Sequence, residues 1–89
     1  MPLADVRFAV VDVETTGMRS RGDDRITEIA VVHVDGPRIA LAFDSLVNPG
    51  RPIPSFIERL TGISDAQVAG APRFAEIADQ VVAALAGRV

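Results

Sequence analysis

The dipeptide Asp35-Gly36 constrains this chain more than any other feature. It stands between two apolar, β-branched runs, Ile26 to Val34 and Arg38 to Val47. Aspartate followed by glycine readily takes the positive backbone angles of a two-residue hairpin loop, so the two runs are expected to pair antiparallel. An earlier run, Arg7-Phe8-Ala9-Val10-Val11-Asp12-Val13, has the same character and reads as a central strand. Its apolar residues occur at both parities, Phe8 and Val10 on one side and Val11 and Val13 on the other, so it asks for cover on both faces. The run from Ile26 is apolar almost throughout, as in a strand buried on both faces. Asn48-Pro49-Gly50-Arg51-Pro52 then ends the pairing, because proline has no amide to give to a ladder.

The second half changes period. Ser55 to Leu60 reads as a short helix that Gly62 breaks. Ser64, with Gln67 three residues on, is a capping box for another short helix. Pro72 is placed to open a last helix. From Arg73 to Leu85, the residues Phe74, Ile77, Ala78, Val81, Val82 and Leu85 form one apolar stripe, with Arg73, Glu76, Asp79 and Gln80 opposite. Between the first two strands, Arg19-Ser20-Arg21-Gly22-Asp23-Asp24 reads as a polar loop. Three strands followed by helices give an α/β chain whose sheet has cover for one face only, so residues 1–89 are expected to be the N-terminal part of a single domain.

Composition narrows the chemistry. Cysteine is absent among the 89 residues, which excludes disulfides and thiolate metal sites. Any metal must be held by oxygen or by the single His33. All nine basic residues are arginine, yet the net charge is −3, which counts against tight binding of nucleic acid through bulk charge. Divalent cations held between carboxylates would reverse that sign locally. No apolar run approaches the roughly 20 residues of a membrane helix, and no signal peptide precedes the first strand. A cytoplasmic protein without membrane contact is the expectation.

The chemistry-bearing pair is Asp12 and Glu14. A strand alternates its side chains, so two acids two residues apart share one face, with Val11 and Val13 directed into the core. Like charges side by side repel, and a cation relieves them. Magnesium and manganese prefer oxygen ligands, and two ions about 3.5–4 Å apart can activate water and stabilise the leaving oxygen of a phosphodiester. Taken alone, Asp-x-Glu is equally a pair of solvated acids at a strand end.

The run Val10-Val11-Asp12-Val13-Glu14-Thr15-Thr16-Gly17 resembles the first motif of the DEDD exonuclease superfamily. Arg25-Ile26-Thr27-Glu28-Ile29-Ala30, Val47-Asn48-Pro49, Leu60-Thr61-Gly62-Ile63-Ser64-Asp65 and Ala71-Pro72-Arg73-Phe74 follow in that family's order. The resemblance extends from about Arg7 to Leu85. It is to the histidine (DEDDh) branch, which includes the proofreading epsilon subunits of bacterial DNA polymerase III. It implies a ribonuclease-H-like fold that begins as a three-stranded antiparallel meander followed by helices.

It also implies roles. Asp12 and Glu14 match the first two catalytic, metal-binding carboxylates, which with the complete set hold two Mg²⁺ or Mn²⁺ ions. Thr15, Thr16 and Gly17 match the turn that meets the terminal nucleotide; read alone, they are an ordinary turn. Leu60, Gly62 and Ile63 match the loop that packs on the terminal base; read alone, they are core packing and a helix break. Glu28 either supports the site or is a solvated sheet residue. His33 reads as a partly exposed strand histidine and not as the family's base, which belongs to a later motif.

The second and third motifs, with the other two acids and the histidine, are absent, and Asp65 and Asp79 do not replace them. The expected function is 3′→5′ hydrolysis at single-stranded DNA ends, of proofreading type, with a polymerase subunit as a possible partner and with these 89 residues alone inactive. The alternatives are a non-catalytic module that binds nucleic acid or polymerase, and an exonuclease that trims RNA ends.

Overall fold

A computed structural model describes residues 5–17 and 25–89. The loop reading of Arg19 to Asp24 therefore lies outside the described residues. The elements follow the expected order: β1 (Arg7–Thr15), β2 (Ile26–Asp35), β3 (Arg38–Leu46), α1 (Ser55–Thr61), α2 (Asp65–Ala69) and α3 (Phe74–Leu85). The three strands form an antiparallel sheet in the order β1-β2-β3. The hairpin forms as expected, but its two-residue loop is Gly36-Pro37 and not Asp35-Gly36: Asp35 ends β2 paired with Arg38, and of the two residues only Gly36, at φ +59, takes a positive angle. A positive angle at the first loop position with proline at the second is the pattern of a type II′ hairpin.

β1 is bonded by β2 along one side and, at its start, by Val89 along the other. β2 is the middle strand, and β1 lies at the edge of the three-stranded sheet. Val11 and Val13 do take the α3 face, opposite the buried Val31 and Ile29, but at 45% and 41% exposure they are only partly covered among the described residues. The expectation of two covered faces for β2 fails. Its Thr27, Ile29 and Val31 are buried, whereas the alternate residues Glu28, Ala30 and Val32 are half-buried. The reason lies in the helices, because only one face of the sheet carries α3.

On that face Ile29 and Val47 join Ile77 and Val81 of α3 in one buried cluster, with Ile26, Phe43 and Leu85 packed around it. Burying a side chain of this kind stabilises a fold by about 1.5–3 kcal/mol relative to leaving it exposed. The contact stripe on α3 is narrower than its sequence suggests: Phe74 and Val82 are exposed. Pro72 does not open the helix, because Arg73 is the cap residue and the first turn begins at Phe74. His33 fixes the far end of α3 through its Nε2, 2.7 Å from the carbonyl of Ala84.

A second cluster, Ile53, Ile57, Ile63 and Val68, belongs to α1, α2 and their flanks and packs against Leu46. Gly62 ends α1 at φ +78 and donates to the carbonyl of Glu58. That backbone angle is open to glycine at little cost. The capping box at Ser64 and Gln67 is formed in both directions.

The chain then returns to β1. Val89 donates its N–H to the carbonyl of Arg7 at 2.9 Å and accepts the N–H of Ala9 at 3.0 Å. Two bonds from one residue that straddle residue 8 are the parallel pattern. Arg88 secures this return. Its guanidinium, 8% exposed, donates to both carboxylate oxygens of Asp35 and to the carbonyl of Phe8.

Two predictions follow from this packing. Ile77→Ala leaves a cavity in the main cluster and should cost about 2–4 kcal/mol, while Val82→Ala on the same helix should change stability by under about 0.5 kcal/mol; urea unfolding of both variants distinguishes them. The hydrogen bonds from Arg88 hold the Asp35 carboxyl below the usual aspartate range. A lowered value stabilises the fold above the unfolded-state pKa, and the benefit is lost as pH falls through the folded-state value. Asp35→Asn should therefore lower the Tm at pH 7, and the gap to wild type should close on acidification below about pH 4, as followed by circular dichroism.

Candidate active site

The register of β1 on β2 determines which acids meet. Asp12 stands opposite Ala30, and Glu14 stands opposite Glu28. Directly opposed residues in an antiparallel pair place their side chains on the same side of the sheet. Val11 and Val13 are opposite Val31 and Ile29, which face α3. Asp12, Glu14 and Glu28 thus share the other, open face. Asp12 is exposed and Glu14 half-buried.

A fourth carboxylate joins them. Asp44 of β3 is opposite Ala30 and so lies in one cross-strand row with Asp12. Counting back from the hairpin, uniform pairing would set Asp44 against Ile29, on the α3 side. The register shifts between Val31 and Val32, leaving Ala42 of β3 without an opposite residue. This one-residue bulge carries Asp44 to the open face. Sequence reasoning missed it, and no residue type at that point announces the shift.

Glu28 stands between these acids. Its carboxyl is pushed above the usual glutamate range, first by burial and then by the charges of Asp44, Glu14 and Asp12. A group crowded in this way destabilises the fold when ionised, and a cation placed among the same carboxylates would relieve it. The donor set of Asp12 and Glu14 therefore suits a hard divalent ion. It is only part of a full set, because among the described residues no three acids or histidines converge as a metal-holding group. His33 alternates with Val32 and Val34 and sits on the α3 side, away from the carboxylates.

The turn after β1 is internally braced. The Thr15 hydroxyl donates to the carbonyl of Gly17. Thr16 is buried; its N–H donates to the carbonyl of Arg25, and its hydroxyl accepts the Arg25 N–H at 3.0 Å. These bonds tie the end of β1 to the start of β2 beside the acids.

The helical residues singled out from the sequence separate into two kinds. Leu60 is 64% exposed, and Gly62 is exposed beside it, whereas Ile63 is buried in the second cluster. That cluster packs on Leu46, which is opposite Glu28. The α1–α2 pair is thereby anchored at the carboxylate end of the open face. Asp65 accepts the N–H of Ile53 at 2.8 Å and holds the entry to α1, while Asp79 is an exposed residue of α3. Neither belongs to the acid group.

The model of the exonuclease family RNase_T matches residues 9–89, and the chain belongs to that family. It is 50% identical over 78 residues to a DNA polymerase III subunit epsilon-like protein of Rhodobacter capsulatus, covering 85% of this chain and 11% of that protein. It is 42% identical over 81 residues to the 3′-5′ exonuclease DinG of Bacillus subtilis, covering 91% and 9%. It is 39% identical over 75 residues to the DNA polymerase III subunit epsilon of Aquifex aeolicus, covering 84% and 37%.

Among solved structures it resembles Exonuclease X in complex with 5′-overhanging duplex DNA, with a TM-score of 0.72 and 30% identity over 83% of this chain and 42% of that one. It also resembles a full-length 3′-exonuclease, with a TM-score of 0.75 and 25% identity over 86% and 28%. The fold is thus the N-terminal portion of the ribonuclease-H-like exonuclease fold. The chain spans from about a tenth to just over a third of the length of these curated relatives. Exonucleases of this family generally employ divalent metal ions. Among the described residues, no helix is long and apolar enough to cross a membrane.

The crowding at Glu28 is open to test. A carboxyl whose folded-state pKa is raised favours the fold below its unfolded-state value and loses that advantage as pH rises through the folded-state value. Glu28→Gln should therefore raise the Tm at pH 7 without added metal. Below about pH 4, where the wild-type glutamate is itself protonated, the two proteins should melt together.

Proposed function

We propose that this chain carries the first two metal-binding carboxylates of a 3′→5′ exonuclease that removes nucleotides from single-stranded DNA ends. The observation that carries the reading is the placement of Asp12 and Glu14 on one open sheet face, in a chain of the exonuclease family. Mg²⁺ or Mn²⁺ fits the all-oxygen donor set. When bound, such ions supply an activated water and stabilise the leaving oxygen.

The residues of the chain do the holding. Asp12 and Glu14 provide negative oxygens at a fixed spacing of two along β1. Thr15, Thr16 and Gly17 present a short turn at the same strand end for the terminal nucleotide. Leu60 offers an exposed apolar surface beside Gly62 for the terminal base, and Ile63 seats that loop in the second cluster. DNA as substrate is favoured by the likeness to polymerase III epsilon subunits, and a polymerase subunit is a corresponding partner.

Residues 1–89 form part of one domain in this reading. Two protein carboxylates leave most of an octahedral coordination sphere to water, and the single histidine, His33, lies on the α3 side away from the acids. Isolated, the 89 residues should therefore hydrolyse little or nothing.

The test uses a 3′-labelled single-stranded oligonucleotide with Mg²⁺ or Mn²⁺. The 89-residue chain should be inactive. A chimera in which residues 7–85 replace the matching stretch of the Aquifex aeolicus epsilon subunit should trim the label stepwise. Asp12→Ala in that chimera should lower the rate at least about 10²–10³-fold with little change in the circular dichroism spectrum. A folded chimera that is inactive with both metals, or an Asp12→Ala variant with near-normal turnover, would remove the assignment.

A further inference from the structure

The ladder between β1 and β2 has little of its own to fix its register. β1 has apolar side chains at both parities, and a displacement by two residues keeps the same parity toward α3. The hydrophobic pattern therefore does not separate the observed pairing from a slipped one. No tight turn dictates it either, because residues 16–25 separate the two strands. The tie between Thr16 and Arg25 lies beyond a register shift between Glu14 and Thr15, and a bulge absorbs displacement. The observed pairing even carries a penalty. It sets Glu14 directly opposite Glu28, and like charges so placed destabilise a strand pair.

A clamp stands at the far end of the ladder. Nη1 of Arg88 donates to Asp35 Oδ1 at 2.6 Å and to the Phe8 carbonyl at 3.2 Å, while Nη2 donates to Asp35 Oδ2 at 3.3 Å. One planar, buried guanidinium thus holds a backbone oxygen of β1 and a carboxylate of β2 at once. A displacement of either strand would take one of them out of reach, since each residue advances the chain by about 3.3 Å. Arg7 also faces Asp35, at 3.7 Å, but that pair is largely exposed and such pairs contribute little. We propose that Arg88, acting through Asp35 and the Phe8 carbonyl, is a positioning residue of the exonuclease site. It pins β1 on β2 in the register that sets Asp12 beside Ala30 and Glu14 beside Glu28. The inference rests on the reading of Asp12 and Glu14 as metal-binding carboxylates.

The pin acts from a distance. Phe8 and Glu14 are about 20 Å apart along β1, and an extended strand transmits a register fixed at one end to the other. Asp12 and Glu14 keep their mutual spacing in any register. The α1–α2 pair, however, is tied to the rest of the sheet through Leu46, which is opposite Glu28 of β2. A displacement by two residues would carry the carboxylates about 7 Å along β2, and so away from their place relative to Leu60. Misplacement of about 1 Å at a reacting centre can cost about 100-fold in rate. Loss of Arg88 thus separates the metal ligands from the base contact without removing either.

NMR on the 89-residue chain reads the register directly, through the cross-strand contacts of Val11 with Val31 and of Val13 with Ile29. Arg88→Met should raise the population of a second set, displaced along β2, at least about tenfold, and Arg88→Lys should fall between it and wild type. A single, undisplaced set in Arg88→Met overturns the proposal. The oligonucleotide assay reads the consequence in a chimera that carries residues 7–89 in the Aquifex aeolicus epsilon subunit. There Arg88→Met should lower turnover at least about tenfold and raise the Mn²⁺ concentration needed for half-maximal rate, with part of both restored by Arg88→Lys. Unchanged turnover and metal requirement overturn the proposal and leave the exonuclease assignment standing. A chimera inactive with Arg88 in place removes that assignment instead, and the contacts in the 89-residue chain then decide alone whether Arg88 sets the register.

Discussion

One packing event organises this molecule: α3 lies on a single face of a three-stranded sheet. Ile77 and Val81 seal against Ile29 and Val47, and the period-two alternation of the strands does the rest. Residues that would compete for that interior, including every carboxylate on the strands, are directed to the opposite face or the rim. The acid site is thus the reverse side of the hydrophobic core. A shift of one residue in the β1–β2 register would exchange the two, sending Asp12 and Glu14 under α3 and Val11 and Val13 to the open surface.

The open face is divided along its length. Phe8, Val10, Val32, Ile39 and Leu41 occupy the half near the hairpin, and Asp12, Glu14, Glu28 and Asp44 occupy the half near α1 and α2. The acidic half carries self-repulsion that surfaces most clearly at Glu28. The apolar half is exposed, with Ile39 and Leu41 more than half accessible. The two halves differ in kind: one gathers charge of a single sign, and the other carries none.

Much of this was legible in the residues. Asp35-Gly36 announced the hairpin, Gly62 the end of α1, and Ser64 with Gln67 the cap of α2, because each depends on a local backbone requirement that only certain residues meet. The common face of Asp12 and Glu14 followed from their spacing alone. The misreadings concern what lies beyond a strand. The apolar run of β1 has residues of both parities, yet Val10, Val11 and Val13 are only partly covered, because periodicity reports what a strand could bury and not what the described residues supply to bury it. Phe74 and Val82 fit the α3 stripe by angle, yet the sheet is too narrow to reach them. Asp44 was invisible for a third reason: its face depends on a bulge that has no sequence signature in Ala40-Leu41-Ala42-Phe43.

That bulge gives the hairpin something like a reading frame. Up to Leu41, β3 is in one phase with β2; from Phe43 it is in the other. In the first phase only Ala40 lies opposite His33 on the α3 side, a small residue where the histidine meets the helix end at Ala84. In the second, Phe43 packs against the buried cluster that α3 forms with the sheet. Losing one residue at the junction would merge the phases and act as many substitutions at once, whereas exchanging one side chain for another of similar size would pass almost unnoticed. The register of this strand therefore depends on its length more than on its composition.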